Sequence, residues 1–271
     1  MRRLWLCADD YGISPGVNAA IRDLVTRGRL NATSVMVVAP SLSKAELSAL
    51  TAAGRCAIGL HLTLTGPFRP LTADFTPLAN GAFHPVAAML RLALLRRLDP
   101  GTLRREVDAQ ITTFTAALGR PPDFIDGHQH VHLFPKVRDA VLDAAGRLAP
   151  SAWLRQCASV LPLRHRLNDP KGLLIDVLSR AFRGRANQLG IATNPAFAGT
   201  YTYRPDADFP RLFSGFLKDL PEGGLVMCHP GHVDAELERL DPLTTLRERE
   251  YAHFCSDAFL QALKAHDLTL N

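Results

Sequence analysis

Short apolar runs and amphipathic stretches alternate along most of the chain. Leu4–Ala8 is an apolar run that ends at Asp9-Asp10. Ser14 as a cap and Pro15 at the first helical position then predict a helix, which Gly28 stops after Arg27. Thr33–Ala39 reads as a second strand, followed by a helix from Ser41 or Ser43 to about Ala53. Ala57–Leu64 reads as a third strand and carries His61. Strand followed by helix, repeated, requires parallel pairing through crossovers.

The rhythm breaks over residues 65–85, where Pro67, Pro70, Pro77, Gly81 and Pro85 mark a long loop. Val86–Leu98 is apolar and carries arginines, and Asp99-Pro100 opens a helix to about Leu118. Phe124–His130 is the fourth strand, Pro135–Ala149 its helix and Ala152–Arg155 a short fifth strand. After an irregular stretch at 157–172, Leu173–Leu189 is helical and Asn194–Tyr203 holds a sixth strand. Asp206–Leu220 is a helix, and Gly224–Cys228 is a strand ending at His229-Pro230-Gly231-His232. Thr245–Ala265 reads as a final helix and Leu268–Leu270 as an eighth strand. The expected fold is therefore α/β: one domain over residues 1–271, a distorted or incompletely closed (β/α) barrel of seven or eight mostly parallel strands. Residues 65–101 form its one long insertion.

Composition narrows the function classes. At 47% hydrophobic and 21% charged, the 271 residues are ordinary for a globular protein. The net charge of +5 is spread along the chain and accompanies no nucleic-acid motif, so no nucleic-acid partner is expected. No stretch reaches transmembrane length. Met1-Arg2-Arg3 imitates a signal peptide, but Asp9-Asp10 end the apolar run too early for one. The cysteines at 7, 56, 157, 228 and 255 lack CxxC spacing and read as reduced, mostly buried thiols of a cytoplasmic protein.

The chemistry concentrates in Asp126-Gly127-His128-Gln129-His130-Val131-His132. In an extended chain, side chains two apart share a face, so Asp126, His128, His130 and His132 are expected to point one way. Imidazoles and a carboxylate converging from one strand end suit a divalent metal. Asp9, Asp10, His61, His128 and His229 also lie at carboxyl ends of predicted strands, where parallel α/β barrels build active sites. His84, His165, His253 and His266 lie outside any motif and read as ordinary histidines.

Four motifs then carry a resemblance. Ala8-Asp9-Asp10-Tyr11-Gly12 with Asn18, Gly59-Leu60-His61-Leu62-Thr63, the Asp126–His132 run and Cys228-His229-Pro230-Gly231 resemble the YdjC-like carbohydrate deacetylases, a family that includes chitooligosaccharide and hopanoid-associated deacetylases. The resemblance implies a deformed (β/α) barrel and a metal-dependent hydrolase that removes the acetyl group from an N-acetylated sugar, in an oligosaccharide or a glycolipid. It implies Asp10, His61 and His128 as ligands of one divalent ion, Mg²⁺ or Zn²⁺. It also implies Asp9 as catalytic base and His229 as the acid that protonates the leaving amine. Such a metal lowers the pKa of bound water, the nucleophile, and polarises the amide carbonyl. The implied partner is the N-acetylated saccharide, and a homodimer is compatible with the sequence.

The remaining polar residues have supporting roles in this reading. His130 and His132 are expected to contact substrate or orient a ligand, and Asp126 either to orient a histidine or to start a turn. Arg155 either faces the site or packs away from it. Tyr201, Tyr203 and Arg204 either form a sugar-stacking wall or pack in the core and surface. Two other functions fit parts of the pattern: a metal phosphoesterase or amidohydrolase, and a catalytically silent sugar-binding barrel. Amidohydrolase-type barrels place the His-x-His pair near the first strand, whereas here that strand ends in Asp-Asp. Binding alone needs no base, which disfavours the silent barrel. For Val86–Leu98 the expectation is a packed lid over the metal, with an apolar groove for a lipid-linked sugar as the alternative.

Overall fold

Strands covered on both faces read as unbroken apolar runs. β2 (Trp5–Tyr11) and β4 (Ala57–Leu62) are buried along nearly their whole lengths. With β3 (Ala32–Val35), β5 (Phe124–Gly127), β6 (Trp153–Leu154), β7 (Phe197–Ala198) and β8 (Leu225–Cys228) they form a seven-stranded sheet in the order β6-β5-β4-β3-β2-β8-β7. Every pair is parallel. The structure, a computed structural model, describes residues 1–159 and 169–270. His165 and part of the irregular stretch expected at 157–172 lie outside the described residues.

The sheet curls until its edge strands nearly meet. A single parallel bridge, Leu154 to Thr193, joins β6 to the segment leading into β7. Leu154 N–H donates to Ala192 O at 2.9 Å, and Asn194 accepts from Gln156 N–H at 2.8 Å. The fold is thus a deformed, incompletely closed α/β barrel. The expected eighth strand is not part of it: β9 (Leu268–Thr269) pairs with β1 (Arg2–Arg3) in a separate two-stranded sheet.

Several helices start at the capping residues the sequence offers. Ser14 caps α1 (Pro15–Thr26), Ser43 caps α2 (Lys44–Ala53) and Asp99 caps α4 (Pro100–Leu118). After α5 (Val137–Leu148) and α6 (Pro170–Gln188), Asp208 caps α7 (Phe209–Leu217). Asp234 caps a short α8 (Ala235–Leu240) that the apolar pattern does not announce. The expected helix over 245–265 is two helices, α9 (Thr245–Cys255) and α10 (Asp257–Ala265). Ser256 between them is extended and caps α10 with its hydroxyl, which interrupts the helix.

The insertion is ordered by its own apolar residues. Phe68, Phe75 and Phe83 are buried, and Phe75 meets Phe83 edge-on with centroids 5.0 Å apart. Buried Glu106 on α4 accepts from Leu71 N–H (3.1 Å) and Thr72 N–H (2.9 Å), tying the loop to the barrel. α3 (Val86–Leu94) turns Met89 and Ala93 inward and leaves Leu94 exposed. Under the sheet, Phe124 stacks on Trp153 at 4.6 Å over Gly59, where a Cβ would stand 2.4 Å from the Phe124 ring.

Candidate active site

Two backbone irregularities build the site at the carboxyl end of the sheet. β2 runs on to Tyr11, and its register with β3 shifts between Ala8 and Tyr11. Asp10 there has φ 69°, in the left-handed region that non-glycine residues seldom adopt. Successive side chains of a regular strand point to opposite faces. The bulge at Asp10 breaks that alternation and brings both Asp9 and Asp10 to the cavity wall.

The second irregularity corrects the expectation for 126–132. The strand ends at Gly127 rather than at His130, and Gln129 (φ 53°) and His130 (φ 60°) are left-handed in the turn that follows. The four polar side chains therefore do not share a face. Asp126 meets His61, with Nδ1 and Oδ1 2.7 Å apart, and His128 meets Asp10, with Nδ1 and Oδ1 3.0 Å apart. His130 packs edge-on to Phe197 with Nδ1 3.5 Å from Cys157 Sγ, and it reaches the cavity wall. His132 is buried against Phe182, its Nε2–H donating to Arg155 O at 2.9 Å. Burial pulls its pKa down to about 4 despite nearby Asp126, so it is a neutral structural imidazole. Gly127 allows the tight turn: a Cβ there would stand 2.8 Å from His132 Nδ1.

Asp10, His61 and His128 offer donor atoms that all lie within 4.8 Å of one another, and all three are buried. His61 Nε2 is 3.2 Å and His128 Nδ1 3.0 Å from the same oxygen, Asp10 Oδ1. The far nitrogen of His61 faces Asp126, with Ser34 Oγ 3.0 Å away. A carboxylate behind an imidazole fixes its tautomer and presents the other nitrogen to a metal. Burial lowers the His61 pKa, but Asp126, Asp9 and Asp10 outweigh it and hold it at about 10. Surroundings that hold a proton so firmly also favour a cation. The donor set therefore fits a divalent metal: two imidazoles and one carboxylate, with one imidazole braced from behind.

Cys7, Asp9 and Asp126 form a second cluster of metal-type donors, but a cation already fills it. Arg155 Nη2 lies 2.7 Å from Asp9 Oδ1, 2.5 Å from Asp126 Oδ2 and 2.9 Å from Cys7 Sγ. Nη1 takes the other Asp9 oxygen at 2.7 Å, so the pair is bidentate and buried. Burial alone would raise the Asp9 pKa; the Arg155 charge and hydrogen bonds, helped by His61 and His229, overcome it and hold the carboxyl well below its usual range. Arg155 thus faces the site.

A cavity of about 810 Å³ opens over these groups. Asp9, Asp10, His61, His128, His130 and His229 reach its wall, and most of the remainder is apolar, including Leu90 of α3 and Leu174 of α6. His229, partly exposed at the end of β8, stands edge-on to Tyr203 at 5.8 Å. Of the expected aromatic wall, only Tyr203 lines the cavity. Tyr201 instead donates its hydroxyl to Glu250 Oε1 at 2.7 Å, and exposed Arg204 pairs with Asp206. Arg247 and Glu250 on α9 and Ser34 on β3 also contact site residues, although no motif marked them. The available signal was charge on the inward stripe of a helix: Leu246, Arg247, Glu250, His253 and Phe254 are all buried.

This is a deformed α/β barrel with a metal-type donor triad beside an arginine-clamped carboxylate. Residues 3–265 match the YdjC-like protein family, and the chain belongs to it. It is 29% identical over 236 residues to a chitooligosaccharide deacetylase of Yersinia pestis (strain Pestoides F), covering 85% of this chain and 82% of that protein. Among solved structures, a candidate cellobiose-phosphate cleavage protein of Enterococcus faecalis V583 superposes with a TM-score of 0.78 at 22% identity, covering 100% of this chain and 97% of the other. A lactam utilization protein of Thermus thermophilus gives a TM-score of 0.51 at 15% identity, covering 100% and 99%. At these identities the two structures bear on the fold alone.

Proposed function

We propose that the protein is a metal-dependent carbohydrate deacetylase that hydrolyses the N-acetyl amide of a sugar. The observation that carries this reading is the juxtaposition of the Asp10–His61–His128 donor triad with Asp9, a carboxylate kept ionised by Arg155. Family membership and the deacetylase relative support it.

Asp10, His61 and His128 would hold one divalent ion, which supplies Lewis acidity toward the amide oxygen and makes a water nucleophilic near neutral pH. Asp9 takes the water proton. Both its oxygens already accept from Arg155, but a carboxylate oxygen has a second acceptor site. His229 delivers a proton to the departing nitrogen, so the C–N bond breaks to acetate and a neutral amine. His130 lines the cavity and is suited to substrate contact, whereas His132 and Asp126 act through other residues.

The cavity is within the usual range for small ligands, and its apolar wall accepts the faces of sugar rings or a lipid attached to one. In this reading the 65–101 insertion sets specificity, because Val86, Ala87 and Leu90 line the cavity. Among the described residues no helix is long and apolar enough to cross a membrane. The cysteines are all free, which supports a cytoplasmic setting. The test is elemental analysis of purified protein combined with acetate release from a panel of N-acetylated glycans, with phosphate esters in parallel. Metal content with acetate release supports the proposal; phosphate release without acetate refutes it.

A further inference from the structure

α9 sends two buried, oppositely charged side chains into the site, one helical turn apart. Arg247 is 0% exposed, and its Nη2 donates to Asp10 Oδ2 at 2.7 Å and lies 3.1 Å from Asp241 Oδ2. Its Nε donates to Leu243 O at 2.9 Å, and its carbonyl accepts from Gly231 N–H at 3.1 Å. Arg247 thus holds one Asp10 oxygen and leaves the other facing His61 and His128. It also ties that ligand to the 241–246 segment, which lines the cavity. Glu250 is 1% exposed and accepts from His229 N–H at 2.5 Å and from the Tyr201 hydroxyl at 2.7 Å. Tyr201 in turn packs on Tyr203 at 4.4 Å, and Tyr203 lies edge-on to the His229 ring.

We infer that α9 is the positioning element of the site, with Arg247 orienting the metal-binding carboxylate and Glu250 orienting the His229 strand end. The inference deepens the deacetylase reading and rests on it for Glu250; the Arg247 half stands on metal binding alone. Helix formation places Arg247 and Glu250 on one buried face at i and i+3. A rigid turn therefore fixes the spacing between the two half-sites.

The two halves predict effects that cross over. Calorimetric titration of metal-stripped protein with Zn²⁺ needs no substrate. Arg247→Gln is expected to raise Kd by about 10–100-fold, the usual loss when a partner of a metal ligand is removed. Arg247→Lys should fall between that and wild type, since one ammonium does not replace a planar fork shared among three acceptors. If Arg247→Gln fails to fold, Arg247→Lys decides alone. A wild-type Kd in a folded Arg247 variant overturns that assignment. Glu250→Gln is expected to leave the Zn²⁺ Kd unchanged. It should lower kcat on an N-acetyl sugar by roughly tenfold or more, part of what a general acid supplies, with little loss on an acetyl ester bearing a good leaving group. Equal losses on both substrates, or a shifted Kd, overturn the Glu250 assignment. If Glu250→Gln fails to fold, Tyr201→Phe, which frees one Glu250 oxygen, is read by the same two ratios. If wild-type protein releases no acetate from any substrate, the deacetylase reading fails while the Arg247 result stands.

Discussion

Asp9 and Asp10 are consecutive, yet each carboxylate is held by a different buried arginine. Arg155, following β6, takes both oxygens of Asp9, and Arg247 of α9 takes one oxygen of Asp10. The left-handed backbone at Asp10 lets the two side chains diverge. That divergence sets Asp9 against Arg155 and turns Asp10 toward His61 and His128, the division of labour proposed for the two carboxylates.

The separation predicts different losses. Asp9→Asn is expected to retain metal and lose about 10²- to 10⁴-fold in turnover, the usual value of a general base. Asp10→Asn, His61→Ala and His128→Ala are expected to lose metal along with activity. Metal per chain measured beside acetate release checks both, and metal-free Asp9→Asn would reverse the two roles.

Arg155 predicts a pH effect. Burial pushes the Asp9 pKa up and Arg155, joined by His61 and His229, more than cancels it, so in wild type Asp9 stays ionised below the usual carboxylate range. Arg155→Gln removes the largest lowering influence and leaves burial opposed only by His61 and His229. Asp9 then protonates at higher pH, and the acid limb of kcat/KM moves toward neutrality. An acid limb unmoved in folded Arg155→Gln would show that Asp9 does not titrate in the rate-limiting step.

His229→Ala is expected to hydrolyse amides poorly while keeping much of its activity on an activated acetyl ester. A phenoxide of low pKa leaves without a proton and an amine does not. Comparable losses on both would assign His229 to binding or structure.

Much of this was legible in the sequence because the site residues end strands, and strand ends follow from the alternation of apolar runs and caps. Asp9, Asp10, His61, His128 and His229 all reach one cavity. The orientation of Asp126–His132 was not legible, because period-2 reasoning assumes extended backbone and the chain turns left-handed at Gln129. Arg247 and Glu250 were hidden for another reason: their partners are more than 200 and about 20 residues away, respectively, in a contact map that one sequence does not reveal. The last expected strand does form, at Leu268–Thr269, but it pairs with β1 rather than with the main sheet.

The insertion divides by side-chain direction. Leu90 lines the cavity, whereas Leu94 and Leu95 are more than half exposed. Leu90→Asn is expected to raise KM for a short soluble glycan several-fold, and the Leu94→Gln/Leu95→Gln pair to leave it unchanged. Exposed substitutions of this kind cost within about 0.5 kcal/mol of stability. A KM shift from the exposed pair with no effect at Leu90 would place the specificity wall elsewhere.

The most direct measurement is anomalous scattering from crystals of this protein grown with Zn²⁺. One strong peak per chain is predicted, bounded by Asp10 Oδ1, His61 Nε2 and His128 Nδ1, with Arg155 still clamped on Asp9. A peak at His130 or His132, or between Cys7, Asp9 and Asp126 with Arg155 displaced, would contradict the assignment of the metal-binding triad.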